Sequence, residues 1–180
     1  MMPSVPVHVF VDEVKERGYV VVAASFPAAQ VRTARQAIRA LIMPNQKRVH
    51  FYKEGDARRK QIIGVISDLG PFVTIYRTSA VDRAHQRNAC LSQLVADLAK
   101  DSTLLVLEQD DSLLENDRRT LYRRAREHAC EDTLIYRHLR ASAEPLLTVP
   151  DALAWCWNRG GHWGKLIARQ VGDVVDLDQR

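Results

Sequence analysis

Acidic residues stand at the ends of three apolar segments of this chain. The run Val7-His8-Val9-Phe10-Val11 is followed by Asp12-Glu13, and Leu104-Leu105-Val106-Leu107 stops at Glu108, with Asp110 and Asp111 just behind. Asp151 opens a Trp-rich segment near the C-terminus. Two carboxylates about 4 Å apart repel by roughly 4 kcal/mol at an effective dielectric near 20, and a divalent cation between them reverses that sign. Oxygen-only ligation of this kind suits Mg²⁺ or Mn²⁺ and not zinc. The chemistry to look for is therefore metal-assisted, with Asp12, Glu108 and Asp151 as the ligands and Asp111 as a further candidate. Side chains alternate along a strand, so Asp12, in phase with His8 and Phe10, and Glu13 point to opposite faces, which makes Glu13 the weaker candidate.

Each acid also has a structural reading. Strands commonly exit into solvent at an acid, which accounts for Asp12, Glu108, Asp110 and Asp111 taken singly. Thr148-x-x-Asp151 has the form of an N-terminal capping box, and an acid there complements the helix dipole.

The elements that must position these acids follow from periodicity. Val7–Val11 and 19–24 read as strands of a hairpin turned by Glu16-Arg17-Gly18. Val31, Ala34, Ile38, Leu41 and Ile42 recur at helical spacing up to Pro44-Asn45. Residues 49–52 read as a short strand, 57–69 as a helix stopped by Gly70-Pro71, and 72–76 as a strand. Asp82 is placed to cap a long helix bearing Leu94, Val95 and Leu98. A strand over 103–107 follows, then a basic helix over 116–129 with Leu121, Tyr122 and Ala125 inward, and a strand over 133–136. A helix from Thr148 or Pro150 to about Asn158 ends at Gly160-Gly161, with a shorter helix over 163–171. A hairpin followed by alternating helices and strands predicts an α/β fold, a mixed sheet with helices on both faces.

Length and composition set the remaining bounds. At 180 residues the chain fits a single domain over 1–180, and 46% hydrophobic residues are too many for a disordered chain. No apolar run approaches the roughly 20 residues a bilayer span requires. The opening Met1-Met2-Pro3-Ser4 lacks the pattern of a secretory signal. Cys90, Cys130 and Cys156 are odd in number and widely spaced, so they read as reduced thiols and the chain as cytoplasmic.

Twenty-six Lys and Arg against 22 Asp and Glu give a modestly basic chain. The positive charge is concentrated in Arg118–Arg140 and in a second group running Lys47, Arg48, Lys53, Arg58, Arg59 and Lys60. Arg119, Arg123 and Arg126 share a helical face, and with Lys53 they are candidates to track a phosphate backbone; a solvated helix face fits the arginines equally well. His50 is placed to orient a phosphate or carry a proton near neutral pH, or to serve only as a hydrogen-bonded strand histidine. Trp155 and Trp157 read as core or wall. The stretch Gly160-Gly161-His162-Trp163-Gly164-Lys165 fails as a phosphate loop, because its glycines are too closely spaced and Leu166 replaces the hydroxyl residue. No zinc-type spacing and no Gly-x-Ser-x-Gly elbow is present.

An Asp-Glu closing the first strand, a hairpin, a His/Lys-containing short strand, a late apolar strand ending in an acid, and a closing Leu-x-x-x-Asp helix together resemble the domain-of-unknown-function 3800 family of the ribonuclease H-like superfamily. The family's opening motif usually reads Asp-Glu-Ser-Gly, and here stands as Asp12-Glu13-Val14-Lys15. Its closing motif, Leu-Gln-x-Ala-Asp, stands as Leu147-Thr148-Val149-Pro150-Asp151, and Glu108 stands where an Asp is common. The resemblance implies a ribonuclease H-like fold and a Mg²⁺- or Mn²⁺-dependent nuclease acting on RNA or DNA, in which Asp12 bridges two ions and Glu108 and Asp151 hold one each. It also implies His50 near the site. The altered neighbours of the aspartates favour the alternative, a non-catalytic nucleic-acid- or protein-binding module on the same fold.

Overall fold

The computed structural model describes residues 6–79 and 82–179. The expectation about Met1–Ser4 lies outside the described residues. Six strands form one mixed sheet. β1 (Val7–Val14) and β2 (Tyr19–Pro27) make an antiparallel hairpin, and β3 (Phe72–Thr78) continues it antiparallel to β2. On the other side of β1 lie β4 (Thr103–Glu108) and β5 (Leu134–Leu139), both parallel to it, while β6 (Val171–Asp176) pairs parallel with β3. The order across the sheet is β5-β4-β1-β2-β3-β6. Gly18, at φ +83°, lies in the hairpin turn, in a region of backbone space that L side chains rarely adopt.

Helices cover both faces. α1 (Val31–Arg39), α2 (Asp56–Leu69), α5 (Thr148–Arg159) and α6 (Gly161–Ile167) lie on one side, where Ile38, Ile62, Ile66, Leu153 and Ile167 pack with Phe10, Val22, Ile75 and Val106 of the sheet. On the other side α3 (Arg83–Leu98) and α4 (Leu114–Glu127) bring Leu91, Leu94, Val95 and Leu121 against Val9, Val11, Val21 and Leu107. The central strands are apolar on both faces because both faces are covered. Each fully buried Val or Phe there contributes roughly 1.5–3 kcal/mol of transfer free energy. α2 ends where Gly70 turns left-handed at φ +60°, and α3 starts where the Asp82 carboxylate accepts from the His85 N–H at 3.2 Å.

Four local expectations are corrected. Residues 49–52 are not a strand, because Phe51–Lys53 winds into a short 3-10 turn that buries Phe51 under the core. The final helix stops at Ile167, and residues 171–176, expected to begin within it, form β6. The three β-branched valines of that segment, Val171, Val174 and Val175, favour an extended strand over a helix. Tyr122 is 58% exposed and not inward. The capping box is absent: α5 begins at Thr148 itself, and no side chain caps it.

Candidate functional site

β1 and β4 run parallel with Val11 opposite Leu107, so continuing the register sets Asp12 beside Glu108. Both share the phase of the core residues Phe10 and Val106, which face the α5 layer. Asp151 lies in the first turn of α5, which packs across β1. No capping box engages Asp151 there, which leaves complementing the helix dipole as its local structural role.

The three carboxylates act on one another. Burial pushes the Asp12 pKa well above its ordinary value, and the charges of Asp151 and Glu108 push it further. The Glu13 N–H, donating to Asp12 Oδ1 at 2.7 Å, opposes the rise. Asp151 is raised to about 6 by burial and by Glu108, against the opposing charge of Arg48. The Arg48 guanidinium reaches Glu108, with Nη1 3.4 Å from Oε1. Three repelling acids and one arginine thus make up the cluster.

The donor set fits a hard cation: every ligating atom is a carboxylate oxygen, and the group is short of positive charge. The side chains do not close on a common point. Among the described residues no three of His, Cys, Asp or Glu are grouped to hold a metal ion.

A depression of about 450 Å³ opens beside the cluster, lined by Asp12, Glu108, Asp111 and Arg140 among others. Asp111 is exposed there and already engaged, accepting from Arg140 Nη2 at 2.8 Å and Gln109 Nε2 at 2.7 Å, which hold its carboxyl below the usual range. His50 precedes the 3-10 turn, and its pKa is lowered by burial and then by Arg48 and Lys53. Lys53 is exposed, with Nζ 5.6 Å from the Tyr52 ring centroid. Arg119 and Arg123 are exposed on α4, in the helix layer opposite α5, and Arg123 Nε lies 3.9 Å from Glu127. Trp155 is wall: its ring meets Phe51 and Trp163 edge-on at 5.5 and 5.2 Å, and the Arg59 guanidinium lies 4.4 Å from its centroid.

Sequence reasoning missed the assembly on the opposite face of β1. Glu13 accepts there from Arg87 and pairs with Lys15 at 3.0 Å. Arg87 also donates to both Asp117 oxygens, at 2.6 and 2.7 Å, and to the Tyr19 hydroxyl at 3.1 Å. His138 Nε2 lies 3.1 Å from the second Asp117 oxygen. Burial opposes the Arg87 charge, but the bonds to Asp117 and the charge of Glu13 more than offset it and raise its pKa. Asp117 is likewise desolvated, yet Arg87 and His138 hold its carboxyl below the usual range. No local motif marks these positions, since Arg87 and Asp117 are 30 residues apart on separate helices.

Comparison with solved structures adds one finding. The fold matches a chain of the PCNA:RNase HII complex from Archaeoglobus fulgidus with TM-score 0.52 and 11% identity, over 83% of this chain and 69% of that one. The chain therefore has the expected α/β ribonuclease H-like fold, with a six-stranded mixed sheet and helices on both faces. No family model matches it, so none supports the resemblance to the domain-of-unknown-function 3800 family, and no curated protein matches it. No helix among the described residues is long and apolar enough to cross a membrane.

Proposed function

We propose that this chain is a Mg²⁺- or Mn²⁺-dependent nuclease that hydrolyses phosphodiester bonds of RNA or DNA. One observation carries the reading: at one end of the β1–β4 pair the Asp12 carboxyl is raised well above its ordinary value by burial and by the charges of Asp151 and Glu108, and Asp151 is raised by burial and by Glu108. Carboxylates left in mutual repulsion are what a hard cation relieves. The ribonuclease H-like fold points the same way.

In this reading Asp12 would be the shared ligand, because the charges of both other acids act on it, and Glu108 and Asp151 would be the outer ones. Asp111 would join only on leaving Arg140. A cation held by Asp12, Glu108 and Asp151 would supply Lewis-acid polarisation of the phosphodiester and activation of water. The chain's own part is to hold the ligands. The Glu13 N–H fixes Asp12, the parallel β1–β4 ladder fixes its spacing from Glu108, and the aromatic contacts of Trp155 seat α5 and with it Asp151. His50 and Lys53 would lie toward the strand's phosphates, and Arg119 and Arg123 would add backbone affinity. The reading takes residues 1–180 as one ribonuclease H-like domain. It takes the setting as cytoplasmic, which the three free buried cysteines support.

The alternative is a nucleic-acid- or protein-binding module without catalysis. What favours it is Arg48, which already neutralises Glu108. Incubation of labelled RNA and DNA with Mn²⁺ decides between the two. Cleavage by the wild type, abolished in Asp12→Asn, supports the nuclease. Salt-dependent binding with no cleavage supports the module.

A further inference from the structure

We propose that Arg48 is a strand-binding residue held in reserve on Glu108, where it and a divalent cation compete for the same carboxylate. The inference rests on the nuclease reading of that site and names a residue and an exchange that the reading does not contain.

Three arginine–carboxylate contacts of this molecule can be compared directly. Arg87 forks onto Asp117 at 2.6 and 2.7 Å, with side chains 4% and 1% exposed. Arg35 forks onto Glu144 at 2.7 to 3.1 Å, and Glu144 is further tied by the Leu146 N–H at 3.0 Å. Both are two-pronged bonds, the strong form of this pair. Arg48 touches Glu108 through a single nitrogen at 3.4 Å, with both side chains 30% exposed. It is the loosest of the three contacts and sits where the acids most need positive charge. Its backbone lies in the segment between α1 and α2, in neither helix nor strand, so no ladder fixes it. A hard cation concentrates twice the charge at shorter range than one guanidinium nitrogen and displaces it from Glu108. The freed guanidinium remains near Glu108, itself part of the lining of the acidic depression, with its donors unspent. The two anionic non-bridging oxygens of a phosphodiester are a ligand that its planar fork of donors can take with two bonds. Cation entry and strand binding are then coupled through one side chain.

The test measures two affinities on wild type and Arg48→Ala at constant ionic strength. Mn²⁺ is titrated by calorimetry, and fluorescence-labelled single-stranded RNA and DNA are titrated in Ca²⁺. Removal of the competitor tightens Mn²⁺ binding by about three- to tenfold. Loss of the phosphate contact weakens strand binding by about three- to tenfold and makes the salt dependence shallower by about one contact. Opposite signs are the signature, and a merely damaged fold does not tighten a metal site. Equal or weaker Mn²⁺ binding by Arg48→Ala overturns the inference and leaves the nuclease site standing, as does unchanged strand affinity. No Mn²⁺ binding by either protein overturns the nuclease reading and the inference with it.

Discussion

Asp12 and Glu13 are consecutive in β1 and serve opposite faces of the sheet. Asp12 lies with Glu108 and Asp151 in the α5 layer, whereas Glu13 accepts from Arg87 in the α3–α4 layer. Their consequences for stability are correspondingly opposite. Asp12 is a like charge among like charges, while Glu13 is a counter-ion in a buried network.

Replacing each by its amide separates the two. Asp12→Asn removes a repelling charge and leaves an isosteric acceptor, so its urea midpoint is expected to rise, by about 1 kcal/mol in stability, while Mn²⁺ binding is lost. Glu13→Gln weakens the support of Arg87 and lowers stability by about 1–3 kcal/mol, with Mn²⁺ binding retained. Urea unfolding and calorimetry on the two variants check this; a midpoint that falls in Asp12→Asn means that its carboxylate is not repelled.

The same repulsion fixes a pH dependence. Asp151 is raised from 3.8 to about 6, so the folded state binds its proton more tightly than the unfolded chain does. The sign follows from linkage: this group's contribution is most favourable below pH about 4 and is lost as pH rises to about 6. Without divalent cation, Asp151→Asn should therefore gain in melting temperature relative to wild type as pH rises through that window. Excess Mg²⁺, which binds the ionised acids, should cancel the gain at pH 7. Differential scanning of both proteins across pH 4–8 reads it out. A gain insensitive to Mg²⁺ would place the cation elsewhere.

How much of this was legible beforehand differs residue by residue. The opposed phases of Asp12 and Glu13 follow from strand alternation, Glu108 stood out as an acid closing an apolar strand, and Asp151 as one opening a helix. The sheet and its two helix layers followed from periodicity. Arg48 did not stand out, because its partner is 60 residues away and the pairing exists only once α5, β1 and β4 have assembled. Arg87 and Asp117 were hidden for the same reason, since a charged residue inside a helix reads as solvated until a second helix covers it, and His138 of β5 meets Asp117 only in the assembled fold. β6 was lost because an edge strand with one well-buried residue, Val175, carries little hydrophobic alternation.

Arg119 and Arg123 lie in the layer opposite α5, so they can add affinity for a polyanion without touching the acids. The double variant Arg119→Ala/Arg123→Ala should weaken RNA and DNA binding alike. The slope of log affinity against log salt should fall by about one to two, with unfolding changed by less than about 0.5 kcal/mol. Fluorescence anisotropy at several salt concentrations checks it, and an unchanged slope excludes this face from the strand's path.

The Arg87–Asp117 pair carries the last prediction. Both side chains are almost wholly buried, and their bonds are spent on each other, Glu13, Tyr19 and His138. Removing one charge strands the other, so Arg87→Met or Asp117→Asn should each cost about 3–5 kcal/mol. Removing both charges together leaves the net charge unchanged, and Arg87→Met/Asp117→Asn should recover a large part of that loss. The pH sign is opposite to that of Asp151. Asp117 is held below its ordinary value by Arg87 and His138, so its contribution is present above pH about 4 and is lost as pH falls below it. Asp117→Asn should therefore differ most from wild type at neutral pH and converge on it in acid. Urea titrations at pH 7 and pH 3.5 test both statements; additive single and double losses would show that the pair does not act as a unit.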